Sequence, residues 1–440
     1  MLSLLTAAFV ASLAASAPLD AMPQTRLDAD LRCRLGAYSL PEGKSVTITG
    51  TGGQPRDLQY TLSNGQFGTL KEGEGGLYAA GTLSIGFEPC SVGTLRLKQG
   101  KLAEQGVHLG LVEKQTIFTS DGINLNGKLV LPPNGRTEFA AVWIEGSNND
   151  PSTDDAVWQY ELARRGIVVF VYDKRGTGAS GGVPVSDFHA RARDTAAAVN
   201  ETRRLAPGIR RVGVIGGSQG GWVAPLVATL VPLDFVVPAF AMAEGPIAQD
   251  KALVELQLRQ AGFGEAELAE ARELTSITEQ IVRSNMGDGL AELDAFKTKH
   301  ADAPWLKAIQ PRSYTGLFLV FPTEQIKVAG PALAQGLSFD YDPRPVIETI
   351  KPRQLWLLAG RDQQAPSRAT QAILRQIQSK RPNIAVVVFP NADHGLVEQA
   401  KTADGVTMAY SARLYDVTAD WIKPRKLPGS GKFIVMPKGR

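Results

Sequence analysis

A serine hydroxyl attacks a carbonyl only when a base removes its proton, so the serines worth weighing are those that the chain presents on an exposed, sharply bent segment. One stretch of this sequence does so: Gly216-Gly217-Ser218-Gln219-Gly220-Gly221, directly after the apolar run Val212-Gly-Val-Ile and directly before the helix-like Trp222-Val-Ala-Pro-Leu-Val-Ala. A Gly-x-Ser-x-Gly string alone is common in turns, but a strand before it and a helix after it make the context of a nucleophile elbow. Small neighbours at Gly216 and Gly220 relieve the crowding of a serine held at strained backbone angles. The helix behind it turns N–H dipoles toward charge developing on a bound carbonyl oxygen.

The base must be a histidine, and the chain has four. His394, in Asn391-Ala-Asp-His-Gly, follows the last expected strand on a loop, where a base for Ser218 is expected. His108, His189 and His300 read as surface or packing residues. Asp362, in Ala359-Gly-Arg-Asp just past Leu355-Trp-Leu-Leu, fits the acid that orients the ring, giving the chain order Ser, Asp, His. Asp393 is the competitor, but a carboxylate adjacent in sequence to the histidine rarely meets the same ring nitrogen. A tetrahedral oxyanion needs two N–H donors: the backbone of Gln219 is one, and Ser147, within Glu145-Gly-Ser-Asn after Val142-Trp-Ile, is the expected second. Tyr172-Asp-Lys-Arg-Gly-Thr-Gly-Ala-Ser reads as a structural loop in which Asp173 and Arg175 pair; it lacks the Lys-Ser/Thr ending and the spacing of a phosphate-binding loop.

These residues need a scaffold, and the pattern of elements supplies one. Short β-branched runs, Ala140-Ala-Val-Trp-Ile, Ile167-Val-Val-Phe-Val-Tyr, Arg211-Val-Gly-Val-Ile, Phe235-Val-Val, Leu355-Trp-Leu-Leu and Ile384-Ala-Val-Val-Val-Phe, alternate with amphipathic helices, the signature of a mostly parallel sheet flanked by helices. Segments around Gln115 and Asn124 read as an antiparallel hairpin that starts it. The alternation breaks over 245–345, where long helical patterns such as Ala271, Leu274, Ile277 and Ile281 predict a helical cap inserted after a strand end, where ligands collect in open α/β sheets. The expected organisation is therefore a signal peptide over 1–21, an all-β accessory domain over 22–112, an α/β core over 113–244 and 346–424 interrupted by the cap, and a solvated basic tail over 425–440.

The signal is read from the apolar run at the N-terminus, which ends in small residues; it carries no Lys or Arg ahead of the run, and Pro18 follows the Ala-Ser-Ala stop. It predicts export to a periplasmic or extracellular space. No later stretch is apolar enough to span a membrane, so no stable membrane insertion is expected after its removal. Cys33 and Cys90, the two cysteines, can close one disulfide in an oxidising compartment; the alternative is two unconnected buried thiols. The 47 Lys and Arg against 44 Asp and Glu are scattered, which argues against a nucleic-acid partner.

The region from about 115 to 424 resembles the α/β-hydrolase superfamily and, within it, bacterial serine esterases related to the acylaminoacyl-peptidase group, which carry an N-terminal β domain and a helical cap. Tyr172-Asp-Lys-Arg-Gly-Thr-Gly-Ala-Ser, Gly216-Gly-Ser-Gln-Gly-Gly-Trp, Asp340-Tyr-Asp-Pro and Asn391-Ala-Asp-His-Gly-Leu carry the resemblance. It implies catalytic roles for Ser218, Asp362 and His394 and oxyanion donation by Ser147 and Gln219. Where the family shows His-Gly-Ser-Gly-Pro, this chain has Glu145-Gly-Ser-Asn-Asn, which brings a carboxylate close to the expected site. The expected function is hydrolysis of a small acyl ester without metal or organic cofactor. A serine peptidase using the same three residues and an inactive binding protein on the same fold are the alternatives, and oligomeric state stays open.

Overall fold

The computed structural model describes residues 27–135, 138–334, 336–402, 405–423 and 433–435. The proposed signal over 1–21 lies outside them. Among the described residues no helix is long and apolar enough to cross a membrane.

Alternating apolar residues between glycine turns build eight short strands first: β1 (Gly36–Ser39), β2 (Ser45–Gly50), β3 (Leu58–Leu62), β4 (Gln66–Glu72), β5 (Leu77–Ala80), β6 (Leu83–Phe87), β7 (Thr94–Gln99) and β8 (Leu102–His108). They pair in the order β4-β3-β2-β1-β8-β7-β6-β5, and β4 pairs β5 as well, so the sheet closes into an antiparallel barrel. Closure at Lys71 and Glu72 covers that end of the β4 edge. Its interior is filled by Val46, Ile48, Leu58, Leu70, Tyr78, Ile85, Leu95 and their neighbours. Cys33 and Cys90 are joined by a disulfide.

The second sheet begins with the expected hairpin, β9 (Val112–Ser120) and β10 (Ile123–Leu131). It continues through β11 (Phe139–Ile144), β12 (Val168–Tyr172), β13 (Arg211–Gly217), β14 (Phe235–Ala239), β15 (Arg353–Ala359) and β16 (Ile384–Phe389). Its order is β16-β15-β14-β13-β11-β12-β10-β9, parallel from β12 to β16 and antiparallel at β10 and β9. The central strands are buried along their length, which is why they read as continuous apolar runs rather than alternating ones. Helices such as Phe188–Leu205, Gly220–Leu230 and Ser367–Lys380 connect the strands and cover them.

Between β14 and β15 the chain makes the helices Pro246–Gln260, Glu265–Arg283, Leu290–Lys299, Tyr314–Val320 and Thr323–Ala334. They have an apolar core of their own, in which Leu258, Leu274, Ile281, Leu293 and Ile326 are fully buried. A further helix, Arg344–Thr349, straddles the boundary expected at 345.

Two features depart from expectation. After β16 the hairpin β17 (Val397–Thr402) and β18 (Gly405–Tyr410) leaves the α/β sheet, and β18 pairs with β4 at Met408–Phe67 and Ala409–Gln66. That end of β4 is free because β5 pairs only with Lys71 and Glu72 at the other end. The tail over 425–440 is not wholly a solvated extension: Phe433–Val435 forms β19, parallel to β16, so the last apolar triplet extends the sheet edge.

Candidate active site

Ser218 stands between the end of β13 and the start of helix Gly220–Leu230 with a φ of 53°, a left-handed angle that a side-chain-bearing residue takes only under constraint. Its amide donates to the Ala239 carbonyl at 2.9 Å and its carbonyl accepts from the Gly221 amide at 2.9 Å, so the bend is held from both sides. The glycines around it are required by contact. A Cβ at Gly216 would lie 2.1 Å from the Gly220 carbonyl oxygen, and one at Gly220 would lie 2.4 Å from that of Ile144.

His394 is delivered by the loop after β16, and its Nε2 lies 2.9 Å from Ser218 Oγ. Its Nδ1 lies 3.0 Å from each carboxylate oxygen of Asp362, which follows β15. The Asp362 side chain is nearly inaccessible, and its Oδ1 also accepts the amides of Gln364 at 2.9 Å and Ala365 at 2.6 Å. Those donors fix the carboxylate's direction. Phe240, at the end of β14, meets the imidazole edge-on with ring centroids 5.2 Å apart and closes its other side. Asp393 does not reach the ring: its Oδ1 takes the amides of His394 at 2.7 Å and Gln363 at 2.8 Å, which ties the two loops together.

Ser147 lies in the loop after β11 and lines, together with Ser218, a narrow cleft of about 50 Å3 under the cap, walled by Pro246, Leu253 and Tyr314 and by the polar Gln249, Arg312 and Gln364. Gln219 shares a second cavity, of about 20 Å3, with Ser218, Trp222, Phe240 and Met242. Among the described residues no hydrogen bond occupies the backbone N–H of Ser147 or of Gln219. The Glu145 carboxylate is turned into the wall, where it accepts from Trp143 Nε1 at 3.0 Å, Ser152 Oγ at 2.8 Å and the Gly146 amide at 3.0 Å.

The other histidines lie elsewhere: His108 Nε2 is 3.3 Å from the Leu35 carbonyl, His189 meets Tyr341 edge-on, and His300 stacks on Phe296 in the cap. The expected Asp173–Arg175 pair is not formed. Asp173 instead accepts from the Thr153 amide and hydroxyl, Asn126 Nδ2 and the Ala179 amide, while Arg175 forms a two-pronged pair with Asp194 at 2.7 Å and reaches Asp121 at 3.0 Å. The chain turns at Arg175, Asp173 already holds four other donors, and the buried Asp194 offers Arg175 a carboxylate from the helix Phe188–Leu205. The cap residues at the cleft and Phe240 went unread because only the fold brings them to Ser218.

A line Ser–His–Asp on such a turn, with two amides at hand, can pass a proton from a hydroxyl to an imidazole while charge on the ring is held by the carboxylate. A family model described as "Alpha/beta hydrolase family" matches residues 141–404. Among solved structures, an esterase from Pyrococcus furiosus is 18% identical with a TM-score of 0.41, over 65% of this chain and 84% of its own. An esterase from Thermogutta terrifontis is 20% identical with a TM-score of 0.37, over 64% and 91%. An acylaminoacyl peptidase from Pyrococcus horikoshii is 13% identical with a TM-score of 0.41, over 82% of this chain and 51% of that one. No curated protein matches the sequence.

Proposed function

We propose, since this chain belongs to the alpha/beta hydrolase family, that it is a serine hydrolase cleaving small carboxylic esters through an acyl-enzyme on Ser218. The observation that carries the reading is the unbroken line from Ser218 Oγ through His394 to a buried Asp362, built on a positive-φ elbow. Ser218 Oγ attacks the ester carbonyl carbon while its proton passes to His394 Nε2. The carbonyl oxygen, now an oxyanion, takes the N–H groups of Gln219 and Ser147. His394 returns the proton to the departing alkoxide, which leaves as the alcohol. Water then repeats the cycle on the acyl-enzyme, its proton going to His394 and back to Ser218, and the acid is released.

The cleft supports a short acyl group, since sites for drug-sized ligands run to roughly 300–1,000 Å3. Labelling with a fluorophosphonate and turnover of p-nitrophenyl esters test the reading. Both are expected in the wild type and lost in Ser218→Ala, by at least about 10³-fold in kcat, with acetate and butyrate esters preferred to octanoate and laurate. A wild type that neither labels nor turns over sinks the assignment. Faster cleavage of an aminoacyl anilide than of the short esters makes it a peptidase instead.

The Cys33–Cys90 bond supports export, because such bonds persist in oxidising compartments. Cell fractionation is expected to find the protein outside the cytosol, and recovery in the cytosol alone contradicts it.

A further inference from the structure

The Glu145–Asn148 loop is held by a buried arginine and a half-buried lysine. Arg191, 2% exposed on the helix Phe188–Leu205, donates to the carbonyl of Glu145 and to Oε1 of Gln219. Lys174, just past β12, donates from Nζ to the carbonyls of Gly146, at 2.9 Å, and Asn148. Among the described residues neither forms a salt bridge with a carboxylate. Burying a charge without an ion-pair partner is costly, so the loop carbonyls that accept from these cations are what compensates it. Burial, and next Arg191, push the Lys174 ammonium down to about 7 against the pull of Glu145, Asp150 and Asp155.

The geometry has a direct consequence for the amides. In a trans peptide the N–H of one residue points opposite to the carbonyl of the residue before it. With the Gly146 carbonyl fixed on Lys174, the Ser147 N–H is turned away from Lys174 and, among the described residues, has no hydrogen-bond partner, while Ser147 lines the cleft it shares with Ser218. Arg191 ties the start of this loop to the side chain of Gln219, the residue whose backbone N–H is the second donor.

We propose that Lys174 and Arg191 are positioning residues that hold the Ser147 and Gln219 amides in place for the oxyanion. This rests on the reading of Ser218 as nucleophile. A donor removed or displaced by about 1 Å costs on the order of 10²-fold in rate, and the cost falls on the transition state rather than on bound ester.

The test is Lys174→Met and Arg191→Lys, read by kcat and KM on p-nitrophenyl butyrate and by the Ki of a trifluoromethyl ketone. That ketone adds Ser218 Oγ to its carbonyl carbon and leaves an anionic oxygen in the same position as the oxyanion. Each variant is expected to lose about 10- to 100-fold in kcat with KM within about threefold of wild type. The ketone's Ki is expected to rise by the factor by which kcat/KM falls. A role in folding alone lowers the melting temperature and leaves kcat and Ki within threefold, which overturns the proposal. Should Lys174→Met not fold, Arg191→Lys decides: it keeps the charge, but one ammonium cannot span both of the arginine's acceptors, and unchanged kcat and Ki overturn the proposal again. A wild type that the fluorophosphonate does not label sinks the Ser218 reading and this one with it. A labelled wild type with unaffected variants sinks this one alone.

Discussion

Asp362 and Asp393 both lie beside His394, yet they hold different atoms of it. Asp362 meets ring Nδ1 at 3.0 Å, whereas Asp393 meets the backbone amide at 2.7 Å. Asp362→Asn presents an amide that can favour the wrong ring tautomer, so kcat is expected to fall by about 10⁴-fold. Asp393→Asn keeps an oxygen for the two amides and is expected to lose less than about tenfold; steady-state kinetics that reverse this order reassign the acid. A third carboxylate reports on stability. Asp250, buried within the cap on the helix Pro246–Gln260, accepts from the Thr315 amide at 3.0 Å and hydroxyl at 2.6 Å, but burial still pushes its pKa up to about 6. The folded state therefore keeps a proton that the unfolded chain, with a carboxyl near 4, has already released. The stability this contributes is complete below about pH 4 and is lost as pH rises through 6, on the order of 2–3 kcal/mol. Asp250→Asn is expected to gain in melting temperature relative to wild type between pH 4 and 6.5 and to hold that gain above it. A difference that does not change with pH contradicts this. At this scale the sequence is most readable where backbone geometry restricts identity, as at Ser218 and its glycines. It is least readable where partners come from far along the chain: Lys174 and Arg191 lie 17 positions apart and meet only on a loop that starts at Glu145.

The hairpin of β17 and β18 shows how a distant element bears on the site. It begins three residues after His394, and Tyr410 at its end donates its amide to the Gly65 carbonyl at 2.9 Å and stacks on Phe67 with ring centroids 4.6 Å apart. Gly65 has a φ of 92°, and a Cβ there would come within 2.4 Å of the Tyr410 carbonyl oxygen, which is backbone and cannot swing aside. Gly65→Ala is expected to cost about 2–3 kcal/mol of stability and to lower kcat, since the displaced strand leads back to the His394 loop. Gly75, with a φ of 66° and open space around its Cβ position, is the control: Gly75→Ala is expected to cost about 1 kcal/mol and leave kcat unchanged. Equal kinetic effects from the two substitutions break the link between hairpin and site. The all-β character of the stretch over 22–112 was legible, as was the run of buried parallel strands. Barrel closure was not, because the β4–β5 pairing is not declared by either strand's own residues. The union of β18 with β4 joins residues more than 340 positions apart. β19 was missed for a related reason: four apolar residues between Gly-Lys and Pro-Lys are too few to show a period.

For the whole molecule, the barrel and the α/β body share one interior. Val130, Tyr160 and Ala163 of the body belong to the same buried cluster as the barrel's own residues. Glu161 takes the hydroxyl of Thr47 from β2 at 2.5 Å while holding Arg164 and Arg165. On the other side of that contact, a Cβ at Gly52 would strike the side chain of Asp150, so the β2–β3 turn rests against the loop that carries Ser147. The barrel thus braces the site at two places, the Ser147 loop and the His394 hairpin, and the two parts should melt together rather than in sequence. The disulfide makes this testable without substitution. Cys33 and Cys90 are 57 positions apart, both are exposed, and the loop they close contains six of the eight barrel strands. Opening a loop of that length removes about 4 kcal/mol of denatured-state constraint by chain-entropy reasoning. Reduction is therefore expected to shift the urea midpoint of barrel and body unfolding, followed by tyrosine and tryptophan signals, and to shift the midpoint for loss of ester hydrolysis by the same amount. Hydrolysis that persists at urea concentrations where the reduced barrel has unfolded would show the barrel to be an appendage, and the bracing contacts would then carry no energy that matters to the site.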